Sequence, residues 1–143
     1  MVIVAAVDRS NRAKNVIREA EPLAKAFDET IHVVHVLTTG EFVNLGRTRA
    51  EEGDPIDMEE VRKVAADIAA NSATDLDVPF ETVGLMGEPE SKVVNYAKDN
   101  GARYIVVAGR KRSPAGKVLF GSVAQSILLN AECPVVSTVS QSG

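Results

Sequence analysis

The sequence predicts an α/β fold: a mainly parallel sheet with helices covering both faces. Three observations carry this expectation. Four segments are short, β-branched and continuously apolar, as strands buried on both faces are. Apolar residues recur at helical spacing between them. The two patterns alternate strictly, β-α-β-α-β-α-β-α-β, which a parallel sheet joined by crossover helices requires.

The first strand is VIVAAV (2–7), and the helix after it carries Ala13, Val16, Ile17, Ala20, Ala24 and Phe27, capped by Ser10 or Asn11. The second strand is IHVVHVL (31–37). Residues 38–56, TTGEFVNLGRTRAEEGDPI, follow as the one loose region, because glycine and charge break its period. Such a stretch reads either as a mobile, functional segment or as a solvated connection. Asp57-Met-Glu-Glu60 has capping-box form and opens a helix carrying Val61, Val64, Ala65, Ile68 and Ser72. The strand PFETVGLM (79–86) contains Glu81 and Thr82, which suits a sheet edge. Pro89 starts a helix bearing Val93, Val94 and Ala97, and Gly101 ends it. YIVVAG (104–109), a helix with Val123, Ala124, Ile127, Leu128 and Ala131, and PVVSTV (134–139) complete the order.

With 143 residues, 45% hydrophobic and 25% charged, the chain reads as a single domain over 1–143, with a short tail at 140–143. A domain of that length buries about 68–70% of its unfolded surface and needs no staple. Net charge is −4, which argues against a general nucleic-acid binder. Aromatic residues make up 4% with no Trp, so a stacking platform for single strands is missing. The lone Cys133 permits no intrachain disulfide, fits a reducing compartment, and reads as a packing residue. MVIVAAVDRS lacks a basic n-region and meets Asp8, so it does not read as a secretory signal. No apolar run approaches the roughly 20 residues that span a bilayer. The expectation is a soluble, cytoplasmic protein.

Open parallel sheets bind ligands outside the carboxyl ends of their strands, where strand order reverses. The candidates there are Val7-Asp8-Arg9-Ser10, Val36-Leu37-Thr38, Met86-Gly87-Glu88-Pro89 and Gly109 onward. After Gly109, Arg110, Lys111, Arg112 and Lys117 place four cations within eight residues, and Gly121-Ser122-Val123 begins a helix whose free N–H groups attract anions. This set favours a phosphate-bearing ligand; a solvated cationic loop and a plain helix cap are the bland alternative. Asp8 likewise reads as a cap for the first helix or as a ligand contact, and Glu88 as a cap. A P-loop is excluded, because six residues separate Gly109 from Gly116 and Val118 follows Lys117. The dinucleotide fingerprint is excluded too, since VDRSNR holds no glycine.

AAVDRS, HVL, MGEP and VVAGRKR…FGSVAQSILLNAECPVV, each at the end or flank of a strand, resemble the universal stress protein family across essentially the whole chain. The resemblance implies a doubly wound, open, five-stranded sheet of order 3-2-1-4-5, like that of the adenine-nucleotide alpha-hydrolases. It further implies a homodimer paired through residues 134–139 and, as in many members, bound ATP. The family signature G-x2-G-x9-G-[ST] is met by Gly109 and by Gly121-Ser122. Asp8 matches an acidic residue near the ribose, and Ala6 and Val36 match apolar positions flanking the adenine. The chain departs from the signature in the middle: Arg112 stands at the second glycine, eight residues rather than nine precede Gly121, and Pro114 removes a donor. Arginine binds phosphate bidentately through its side chain, so the cations are expected to replace part of the amide cradle, with Gly116 restoring some flexibility.

The implied ligand is ATP or AMP carried with Mg²⁺, which Asp8 would help to hold, or failing that another anion. His32 and His35 stand three apart on one strand and point to opposite faces, so they do not chelate one metal. No Ser/His/Asp or Cys/His arrangement is readable, no catalytic residue is assigned, and at most slow ATP hydrolysis is expected. Pyrophosphatases and adenylyl transferases of the wider group need a Ser/Gly-rich loop after the first strand or a His-x-Gly-His motif, neither of which is present. Two readings remain: a regulatory protein whose ligand alters segment 38–56 or the dimer surface, and a dimeric interaction protein with a degenerate phosphate loop.

Overall fold

β1 (Val2–Ala6) lies at the centre of a five-stranded sheet because its side chains are apolar on both faces. In the computed structural model, which describes residues 1–53, 57–109 and 120–138, the strand order is β3-β2-β1-β4-β5 with every pair parallel. The other strands are β2 (Thr30–Leu37), β3 (Phe80–Met86), β4 (Ala102–Ala108) and β5 (Val135–Thr138). The expected sheet, 3-2-1-4-5, is therefore the observed one. β3 is an outer strand, as its Glu81 and Thr82 required.

Alternation along the strands divides the core. Ile3, Ala5, Ile31 and Val33 face α1 (Ala13–Phe27) and α3 (Met58–Ser72). Val4, Val34, Val36, Ile105 and Val107 face α4 (Pro89–Asp99) and α5 (Ser122–Asn130). Gly84 shows how closely one layer sits: a Cβ there would collide with the Arg62 carbonyl oxygen and the Ala66 amide of α3.

Segment 38–56 differs from the expectation. Residues Thr39–Glu51 form a helix, α2, and 54–56 lie outside the described residues. A capping box starts it: Thr38 Oγ1 accepts from the Glu41 amide at 3.2 Å, and Glu41 Oε1 accepts from the Thr38 amide at 3.2 Å. α2 fully buries no residue, so it has no apolar period to read. Only Phe42 and Leu45 lean on Leu37, Val61 and Ala65. Arg49 bonds Glu60 of α3 at 2.6 Å.

The helix starts refine the expectation. α1 begins after Arg12, two residues beyond Ser10, whose Oγ accepts from the Arg12 amide at 3.2 Å while its own amide and hydroxyl donate to Asp8. Glu88 precedes α4 without a side-chain cap, Pro89 having removed one of the amides to be capped. Asp57 does cap α3, accepting from the Glu60 amide at 2.8 Å. No helix among the described residues is long and apolar enough to cross a membrane.

Candidate functional site

The strand order reverses beside β1, where the chain leaves for β2 on one side and β4 on the other, and a crevice of about 280 Å³ opens at these carboxyl ends. Ala6, Val34 and Val36 give it an aliphatic floor, α5 contributes Gly121, Ser122 and Val123, and Asp8 stands at its edge. The structure thus brings Ala6, Asp8, Val36, Gly121, Ser122 and Val123 together. Arg110, Lys111, Arg112, Gly116 and Lys117 lie outside the described residues.

Two of the expected site residues have other work. Ser10 does not line the crevice; its amide and hydroxyl donate to Asp8 Oδ1 at 2.8 and 2.5 Å, turning the chain from β1 into α1. Gly109 donates its amide to the Thr138 carbonyl at 2.7 Å, and a Cβ would strike that oxygen. The glycine at 109 is required by the approach of β5.

Further residues complete the rim. Thr38, already a candidate at the end of the second strand, lines the crevice together with Glu41, which sequence reasoning passed over, and Glu41 Oε2 meets Arg9 at 3.2 Å. Thr-x-x-Glu was the signal available for this pair. Arg12 lines the crevice from the start of α1, where no motif announces it. His35 reaches Val7, its Nδ1 lying 2.9 Å from the Val7 carbonyl oxygen. A carbonyl only accepts, so Nδ1 carries the proton and Nε2 is an acceptor. That Nε2 is buried without a partner among the described residues.

At the start of α5, Gly121 is extended and offers no side-chain cap, so the first-turn N–H groups beside the crevice have no cap among the described residues. The site therefore combines an apolar slot, a carboxylate, a guanidinium and free amides, a set suited to a flat apolar group bearing hydroxyls and phosphate.

The second histidine lies elsewhere. His32 Nε2 is 2.8 Å from Glu81 Oε2 and Nδ1 is 2.6 Å from Tyr96 Oη. The carboxylate fixes the proton on Nε2, leaving Nδ1 to accept from the phenol. This chain ties α4 to the outer strand, and burial first and the Glu81 charge second push the Tyr96 phenol up. Cys133 is half-buried against the α4–α5 face, and burial raises its thiol. No group of three metal-ligating side chains occurs among the described residues.

The model of the universal stress protein family matches residues 1–138. A universal stress protein of Methanocaldococcus jannaschii is 28% identical over 134 residues, covering 94% of this chain and 79% of its own length. A universal stress protein structure from Archaeoglobus fulgidus is 36% identical with a TM-score of 0.66, covering 96% and 97% of the two chains. Another from that organism, in complex with dAMP, is 26% identical with a TM-score of 0.60 and covers 96% of each.

Proposed function

This chain belongs to the universal stress protein family, and we propose that it binds an adenine nucleotide in the crevice beside β1, as part of a regulatory role. One observation carries the reading. An aliphatic slot made by Ala6, Val34 and Val36 adjoins both the Asp8 carboxylate and the open start of α5. The slot excludes water from a purine, Asp8 accepts from ribose hydroxyls, and the amides of the first α5 turn bind phosphate. Support also comes from the dAMP complex of the Archaeoglobus fulgidus relative.

Asp8 fits a Mg²⁺ ion brought by the nucleotide: Oδ1 is taken by Ser10, whereas Oδ2 has no partner among the described residues. A lone carboxylate beside phosphate oxygens is an ordinary Mg²⁺ donor set. Such an ion would neutralise phosphate charge. By sequence, Arg110, Lys111, Arg112 and Lys117 fall between Gly109 and α5, and we propose them as further cations for the same ligand, although they lie outside the described residues.

Calorimetric titration with ATP, ADP and AMP tests the reading, together with mass spectrometry of the natively purified protein. Binding, or a co-purified nucleotide, is expected. Absence of heat at millimolar ligand would overturn it. At 100 times Kd, ligand adds about 2.7 kcal/mol to native stability, a shift that thermal unfolding resolves.

The second reading, a dimeric interaction protein without nucleotide, is favoured by the outer position of β5 and by Leu128 and Leu129, exposed on α5. We propose pairing through residues 134–139, which would satisfy the open strand edge. A monomeric mass by light scattering at micromolar concentration would exclude this pairing.

A further inference from the structure

We propose that Arg12 is a ligand-binding residue that reads how many phosphates the occupant carries. This inference rests on the crevice being a nucleotide site. Arg12 lines that crevice half-buried, and its guanidinium is oriented: Nε donates to Ser10 Oγ at 3.4 Å, and Ser10 is itself held by Asp8. Both terminal nitrogens are without a partner among the described residues, and no carboxylate pairs with them there. Its neighbour at the rim, Glu41, is by contrast answered within the protein, by Arg9 and by the Thr38 amide and hydroxyl.

The charge of Arg12 gives the helix nothing. Cations stabilise helix C-termini, yet Arg12 stands at the N-terminus of α1, whose first turn contains no acid to offset it. A guanidinium does not deprotonate, so its partial burial is a standing cost until an anion supplies the missing partner. α5 presents free amides to the same crevice. A phosphate at those amides leaves the next phosphates of a di- or triphosphate to be gripped by the Arg12 fork from the α1 side. A nucleoside offers Arg12 nothing to hold, and a monophosphate offers one group already claimed.

The experiment measures dissociation constants for adenosine, AMP, ADP and ATP with the wild-type protein, Arg12→Gln and Arg12→Lys, each checked for native circular dichroism. We expect wild-type affinity to rise from AMP to ATP. Arg12→Gln should weaken ATP about tenfold or more while leaving adenosine unchanged, collapsing the ATP-to-AMP preference. Arg12→Lys keeps the charge and loses the fork, so it should fall between the two, and it decides the matter should the glutamine variant not fold. Unchanged ATP affinity in the variants, or an equal loss for adenosine and ATP, would overturn the role of Arg12 while leaving the nucleotide site standing. Failure of all four ligands to bind the wild-type protein would remove the site and this inference together.

Discussion

Two successive helices join β2 to β3, and opposite forces hold them. α3 drives Val61, Ala65 and Ala69 wholly into the core and sits so close to β3 that only glycine fits at 84. α2, on the rim of the crevice, fully buries nothing and rests on a capping box, two partly buried apolar residues and ion pairs. Burial is worth a few kcal/mol per side chain, whereas a cap or an exposed ion pair is worth about 1 kcal/mol or less. One helix is fixed by the core; the other is only fastened to it. Segments that respond to ligands are drawn from the second kind, because opening them costs little.

Substitutions can break this contrast. The largest effect is expected from Gly84→Ala: its methyl group must push α3 backbone away, costing about 3 kcal/mol in urea unfolding. A neutral result would show that α3 is not seated as described. Val61→Ala leaves a void under both helices and should cost about 2 kcal/mol. Thr38→Ala removes the cap of α2, worth about 1 kcal/mol, and the loss should appear as faster amide exchange confined to residues 39–51. Were Thr38→Ala to lower global stability as much as Val61→Ala, α2 would belong to the core and the contrast would fail.

The smallest effect is electrostatic and alkaline. Burial first and the Glu81 charge second hold Tyr96 above the usual phenol range, so the native state keeps a proton that the unfolded chain releases. Stability should stay intact below about pH 10 and fall as pH rises through the higher native value. Tyr96→Phe should flatten that fall in unfolding series run from about pH 9 upward. An unchanged slope would mean that Tyr96 is not buried beside Glu81 in solution.

Legibility in the sequence followed the same division. β1, β2, β4, α1 and α3 announced themselves because burial imposes a period of two or of 3.6 on side chains, or a continuous apolar run. α2 did not, since a helix without buried residues carries no such signal and its cap is a single Thr-x-x-Glu. At the site, Ala6, Asp8, Val36 and Gly121 to Val123 were legible because strand ends and helix starts fix where ligands approach. Gly109 was read for phosphate, although its glycine answers to Thr138, a residue 29 positions further along the chain. Arg12, His35 and Glu41 passed unread because each reaches the site through a partner distant in sequence or hidden in a turn.

By itself the sequence determined the elements, their alternation and the end of the sheet at which the crevice opens, for these follow from local periodicity and the handedness of parallel crossovers. Tertiary structure alone decided which charges found partners. Glu41 is answered by Arg9 and Glu60 by Arg49, whereas the terminal nitrogens of Arg12 meet no carboxylate among the described residues. Local pattern sets where a side chain points. Whether its charge is met depends on what the rest of the chain brings within a few ångströms, and that distance exists only once the chain has folded.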